Sequence, residues 1–258
     1  MGISMNEPLD VTMDTAGIAQ VTINRPKRAN AIDPALAASL LEAFEWLAKD
    51  PKLRVLVLLG NGHTFCAGLD LKAMTDTASA SFEANYQDAL QLTKLLHRLN
   101  TMPVPTLAVV PGAAIGLGVG LVAACDVVLA SELATFRFSE VRLGIIPAVI
   151  SPYVIPAIGA RACRRYFLSG ESFDAAEAMR LGLVHAVSNL DDLGARAAQL
   201  AAELHAGKRE AQAAAKTLFE DIRLAPVTEA LTQETARRLA EIRRTKEAQT
   251  ALAEFLKA

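Results

Sequence analysis

Thr106-Leu107-Ala108-Val109-Val110-Pro111-Gly112-Ala113-Ala114-Ile115-Gly116-Leu117-Gly118-Val119-Gly120 reads as an apolar strand, a proline–glycine break and a glycine-rich loop opening a helix toward Cys125. The same plan occurs earlier in the chain. The apolar run 55–59 leads into Gly62-His63-Thr64-Phe65-Cys66-Ala67-Gly68-Leu69-Asp70-Leu71, and a helical pattern follows. A helix start exposes backbone N–H groups that lack an intrahelical partner, so each loop can offer donors to an anion. Two such donors converging on one point would hold a developing oxyanion, as acyl chemistry requires.

Upstream, Ile18-Ala19-Gln20-Val21-Thr22-Ile23 alternates as a half-buried strand, and Asn24-Arg25-Pro26-Lys27-Arg28 breaks it. Asp33-Pro34 supplies an N-cap and a first-turn proline for a helix with Leu36, Leu40, Leu41, Phe44 and Leu47 at helical spacing. Residues 73–100 read as helical beyond a polar patch at 75–81, with Leu90, Leu92, Leu95, Leu96 and Leu99 as the apolar face. A further strand falls at 127–130. Strands alternating with helices indicate an α/β domain. From about Pro147 strand signals fade, and the alanine- and leucine-rich remainder predicts an all-helical end.

The chain has 258 residues, 52% hydrophobic content and a formal net charge of −2. This length can bury a large core, and the charge lacks the basic excess of a nucleic-acid binder. Cys66, Cys125 and Cys163 are widely separated without C-x-x-C spacing, which fits a reducing cytoplasm and buried apolar roles rather than disulfides or zinc. Residues 1–6 lack a signal-peptide pattern and a myristoylation motif. Residues 99–125 carry no charge, but Pro103, Pro105, Pro111 and four glycines interrupt them too often for a membrane span. No partner membrane is expected.

Gly116-Leu117-Gly118 gives the start of a dinucleotide fingerprint, with Glu140 20 residues after Gly120, but the third glycine position holds Leu121. Phosphate-loop, serine-hydrolase and zincin motifs do not occur. In Phe136-Arg137-Phe138-Ser139-Glu140, alternation places Phe136, Phe138 and Glu140 on one face if the strand persists. A carboxylate sharing a face with two phenylalanines has a raised pKa suited to proton transfer. The alternative is a strand end with an ordinary surface charge. Asp70 fits a helix N-cap. His63 reads as solvent-facing and His97 as a packing or boundary residue. The basic runs 161–165 and 237–246 read as charged helix faces.

Taken in order, Asn24–Lys27, Phe65–Leu71, Pro111–Gly120 and Glu140-Val141-Arg142-Leu143-Gly144-Ile145-Ile146-Pro147 resemble the crotonase superfamily, the enoyl-CoA hydratases and isomerases. The continuation Ala148-Val149-Ile150-Ser151-Pro152-Tyr153-Val154 is similar to a bacterial branch containing methylglutaconyl-CoA hydratases of leucine degradation. The resemblance implies a spiral of repeated ββα units over residues 1–195 and a C-terminal helical trimerisation region over 196–258, assembling as a homotrimer or a dimer of trimers. It also implies an oxyanion hole at the N–H groups of Leu69 and Leu117, where small residues are common in the family. Of two family glutamates the second falls on Glu140, while Gly120 stands at the first. A single glutamate is also the pattern of many family isomerases. CoA contacts would fall on Lys27, Arg28, Ala29, Ala67 and Leu71, with Phe255 and Lys257 reaching the nucleotide, often across subunits. A dicarboxylic substrate would need a distal cation, with Lys72, Lys94, Arg98 and Arg142 as candidates. The activity implied is hydration of an α,β-unsaturated acyl-CoA, with no metal and no separate cofactor. The alternatives are a 3,2-enoyl-CoA isomerase and a non-catalytic acyl-CoA-binding protein.

Overall fold

Buried apolar runs flanked by glycine loops build a two-sheet spiral. The computed structural model describes residues 8–77 and 79–256. Residues 1–6, read above for targeting signals, Lys257 and part of the 75–81 patch lie outside the described residues. The order is β1 (Leu9–Met13), β2 (Ile18–Ile23), a 3-10 turn (Pro26–Arg28), α1 (Pro34–Lys49), β3 (Val55–Gly60), β4 (Thr64–Cys66), α2 (Leu71–Thr77) and α3 (Phe82–Asn100). Then come β5 (Thr106–Val110), β6 (Ala113–Ile115), α4 (Leu117–Ala123), β7 (Val127–Ser131), β8 (Thr135–Arg137) and a second 3-10 turn (Glu140–Leu143). The chain ends with α5 (Ser151–Ser169), β9 (Ser172–Asp174), α6 (Ala175–Leu181), β10 (Ala186–Ser188), α7 (Leu193–Ala206), α8 (Arg209–Ile222), α9 (Glu229–Arg243) and α10 (Lys246–Phe255).

The three middle turns, opening with β3–β4, β5–β6 and β7–β8, each give one strand to each sheet and then a helical segment, whereas β1 and β2 both lie in the first sheet. The first sheet runs β1-β2-β3-β5-β7-β10 and the second β4-β6-β8-β9. Pairing from β2 through β10 in the first sheet is parallel, with Leu58 beside Ala108 and Ala108 beside Val128. Parallel strands covered on both faces read as continuous apolar runs. Accordingly, Leu56, Leu58, Ala108 and Val110 face α1, α3 and α4, while Val55, Val57, Leu107 and Val109 face α7. Asp33 caps α1 as its sequence predicts, its side chain accepting from Leu36 N–H at 2.9 Å.

Two expectations need correction. The all-helical reading after Pro147 missed β9 and β10. Both are only three residues long, too short for a periodic signal, and each exists through pairing to a distant strand, β8 for β9 and β7 for β10. The strand through Glu140 also fails. β8 ends at Arg137, Ser139 turns into the αR region, and Glu140 opens the second 3-10 turn. Phe136 and Phe138 are both fully buried, so the alternation holds for them and stops before the carboxylate.

The position 195/196 falls inside α7, whose Leu193, Ala197 and Ala201 pack on the first sheet. The helices α8, α9 and α10 contain no buried residue. Lys216 on α8 is tied to the core by Asp126 Oδ2 at 2.7 Å. Among the described residues no helix is long and apolar enough to cross a membrane.

Candidate active site

The two glycine loops meet at the ends of β4 and β6. Ile32 N–H donates to the Gly68 carbonyl and Asp70 N–H to the Ile32 carbonyl, both at 2.8 Å, zipping residues 30–32 alongside 68–70. In such a parallel bridge the intervening N–H, that of Leu69, points away from its neighbour strand. Gly116 N–H donates to the Arg137 carbonyl at 2.9 Å, which fixes the second loop. Leu117 is then the first residue of α4, whose N–H has no intrahelical acceptor. Among the described residues neither Leu69 N–H nor Leu117 N–H is donated within the chain. The loops are close enough that a Cβ on Gly68 would lie 3.5 Å from Leu117 N and 2.7 Å from the Ile115 carbonyl oxygen.

Both donors line a cavity of about 1260 Å³, together with Ala67, Glu140, Val149 and Ile150. Leu117 is 4% exposed and sits largely in the core, whereas Leu69 is half-buried and only packs against it. The leucine nearer the open cavity is therefore Leu69. Glu140 reaches the same point: a Cβ on Gly116 would stand 3.1 Å from Glu140 Oε1. Its Oε2 is buried and, among the described residues, has no hydrogen-bond partner. Burial pushes the Glu140 carboxyl above its ordinary value. An unpaired carboxylate in this setting is poised to take or give a proton.

Gly120, where the resemblance implied the first family glutamate, has no room for a side chain. A Cβ there would lie 2.4 Å from Ile150 Cγ2 and 3.3 Å from Leu96 Cδ1. The space a glutamate stem would enter is filled by Ile150.

Arg28 and Ala67 line the cavity, as does Leu71, 63% exposed. Lys27 is exposed on the first 3-10 turn, and Ala29 follows it with a φ of 49°. Phe255, 81% exposed, lies at the end of α10 and not on this cavity. Asp70 precedes α2 and accepts from Lys72 N–H at 3.0 Å. It also pairs with Arg25 and Arg28 at 3.3 and 3.2 Å. Its burial disfavours charge, but the N–H groups of Lys72 and Ala73 and the two guanidinium groups outweigh this and hold the carboxyl below its ordinary value. Asp70 thus anchors the first loop.

Of the four distal cations named from the sequence, only Arg142 lines the cavity. Lys72 and Lys94 are exposed, and Lys72, Lys94 and Arg98 lie off its wall. His63 is exposed, and His97 is exposed rather than packed. The three cysteines are buried. Cys66 accepts Gly68 N–H through sulfur, and burial drives its thiol up to about 12. Sequence reasoning missed Arg137 and Ile150. Alternation alone put Arg137 on the face opposite Phe136 and Phe138, a signal that was available. The packing of Ile150 on Gly120 left no trace in sequence.

The enoyl-CoA hydratase/isomerase family model matches residues 13–257. A solved enoyl-CoA hydratase from Shewanella pealeana superposes with a TM-score of 0.94 at 36% identity, covering 98% of this chain and 94% of its own. The mevalonyl-coenzyme A hydratase sidH of Aspergillus fumigatus is 36% identical over 74% of this chain and 70% of its own length. The 4-chlorobenzoyl coenzyme A dehalogenase-2 of an Arthrobacter species is 30% identical over 80% and 76%. Relatives therefore bear names of different reactions on CoA esters. The chain belongs to the enoyl-CoA hydratase/isomerase family, with the crotonase fold, and that family acts on acyl-CoA thioesters.

Proposed function

We propose that the protein adds water across the double bond of an α,β-unsaturated acyl-CoA. The observation carrying this reading is the buried Oε2 of Glu140 beside the N–H groups of Leu69 and Leu117, all three without a hydrogen-bond partner among the described residues. The thioester carbonyl oxygen accepts from both N–H groups, which draws electron density from the β-carbon and stabilises the enolate formed on attack. One such donor contributes on the order of 3 kcal/mol to the barrier. Glu140 orients the water, takes its proton during attack and returns a proton to the α-carbon. Substrate and product balance without redox change, so the chain's own groups suffice and no metal or separate cofactor is invoked.

The CoA portion lies along Lys27, Arg28, Ala29, Ala67 and Leu71. Phe255 reaches the nucleotide of a neighbouring subunit in a homotrimer or dimer of trimers. Support for that assembly comes from α8–α10, which bury nothing within the chain yet expose Phe219 and Leu252 at 63% and 58%. The substrate assigned is 3-methylglutaconyl-CoA, in a cytoplasmic route of leucine degradation. A second reading, a 3,2-enoyl-CoA isomerase with Glu140 as proton shuttle, is favoured by Gly120, because isomerisation needs no second carboxylate to hold water. Ultraviolet absorbance of 3-methylglutaconyl-CoA separates them. Loss of the conjugated thioester to a plateau, with hydroxymethylglutaryl-CoA as product, supports hydration. No loss, with gain of conjugation from a 3-enoyl-CoA, supports isomerisation and refutes hydration.

A further inference from the structure

Among the described residues, two arginines on the cavity wall, Arg137 and Arg142, form no ion pair. Arg137, half-buried at the end of β8, donates from Nε to the Gly170 carbonyl at 2.9 Å. Arg142, on the second 3-10 turn, donates from Nε and Nη2 to the Ser169 carbonyl at 3.4 and 3.3 Å. Successive carbonyls at the C-terminal end of α5, those of Ser169 and Gly170, thus hold one guanidinium group each. A helix C-terminus favours cations, which explains how two like charges are tolerated there. Each anchor uses only part of the guanidinium fork, which carries five N–H donors.

Asp70 and Glu171 are engaged by other groups. Among the described residues neither arginine forms an ion pair. Arg28, on the same cavity, is spent on Asp70. Glu171 feels the charge of Arg142, but its carboxylate is bonded by Arg165 at 2.7 Å and by the Ser169 hydroxyl at 3.2 Å. Glu140, three residues after Arg137, keeps a carboxyl raised by burial with no arginine offsetting it. The two guanidinium groups therefore leave the proposed base unneutralised. They face a cavity otherwise walled here by Leu143, Ile145 and Ile146. Planar guanidinium forks match a carboxylate bidentately.

We propose that Arg137 and Arg142 form a receptor for a carboxylate at the far end of the acyl chain, so that the site selects CoA esters of dicarboxylic acids. This rests on reading the cavity as an acyl-CoA site. The same charges would also suit a CoA phosphate, and the chemistry of the acyl tail distinguishes the two.

The test compares binding of glutaryl-CoA with that of 5-methylhexanoyl-CoA, in which an isopropyl group replaces the carboxylate. Both are saturated, so calorimetry on the intact protein reads affinity without turnover. A charge-assisted pair at this site gives glutaryl-CoA an advantage of roughly tenfold to a hundredfold. In Arg137→Gln and Arg142→Gln that ratio falls toward one, and Arg137→Lys restores part of it. A wild-type ratio near one overturns the receptor, whatever the variants do, and leaves the acyl-CoA reading standing. Equal loss of both affinities in the variants, with the ratio kept, assigns the arginines to CoA phosphate and also overturns it. Binding of neither ester removes the acyl-CoA reading itself, and the receptor with it.

Discussion

Replacing Gly120 by alanine should destabilise the protein, although alanine is the better helix former. Within α4 the exchange gains about 1 kcal/mol of helix propensity. Against this, the new methyl would stand 2.4 Å from Ile150 Cγ2 and 3.0 Å from Ile150 Cβ. Carbon atoms pack best at roughly 3.5–4 Å, so the contact is more than an ångström too close. The helix has little room to retreat. Gly118 lies two residues earlier on nearly the opposite face, where a Cβ would meet the Cys66 carbonyl oxygen at 2.4 Å. Overpacking a closed core costs about 1–3 kcal/mol, and the clamp on both sides puts α4 toward the upper end. Net destabilisation is then about 1–2 kcal/mol, read as a lower urea midpoint at unchanged slope. Ile150→Ala also destabilises, yet in the double variant Gly120→Ala/Ile150→Ala the two costs should not add. An alanine variant as stable as the parent, or additive behaviour of the pair, would refute the claim that Ile150 excludes a side chain at position 120.

Glu140→Gln should lower kcat by about a hundredfold to ten-thousandfold while changing acyl-CoA affinity little; near-normal turnover in a stopped-flow assay would end its role as acid–base. Because Glu140 must be ionised to take a proton, kcat/KM should fall on the acid side through a pKa above the ordinary carboxylate value, a limb absent from the Gln variant. The same shift has a stability sign: the folded chain binds the Glu140 proton more tightly than the unfolded chain. Stability is therefore full below the ordinary Glu pKa and declines as pH rises through the folded one, so Glu140→Gln should be the more stable protein at neutral pH. Asp70 behaves oppositely. Its lowered carboxyl contributes stability above the ordinary Asp pKa that is lost as pH falls through the folded value, and Asp70→Ala should cost about 2 kcal/mol in urea denaturation at neutral pH.

Much of the frame was written locally. The runs 55–59 and Thr106–Val110 are apolar at every or nearly every position because the first sheet is covered on both faces. The Asp33-Pro34 start needed only capping chemistry. What stayed hidden depends on partners far along the chain. Ser172–Asp174 and Ala186–Ser188 become strands only because β8 and β7 offer them edges. Glu140 was found as a residue but not as a geometry: strand alternation would aim it with the phenylalanines, whereas a turn after Arg137 aims it at Gly116.

Three of the four glycines between Gly112 and Gly120 bind these features together. Gly116, Gly118 and Gly120 each lack a Cβ where a different group presses in: the Glu140 carboxylate, the Cys66 carbonyl and the Ile150 side chain. The first approach brings the Glu140 carboxylate, the proposed base, to the loop that bears Leu117 N–H. The second locks α4 against β4, so that Leu117 N–H is held beside the loop bearing Leu69 N–H. The third occupies the place from which a second carboxylate would extend. The proposed donor pair and the proposed single base thus rest on one packing solution. Any route to a two-glutamate site in this chain must remove Ile150 before it adds the acid. Gly120→Glu alone should fail to fold stably, while Gly120→Glu/Ile150→Ala should recover soluble protein; recovery by the single substitution would show that α4 can move and that packing at Ile150 does not govern the chemistry at position 120.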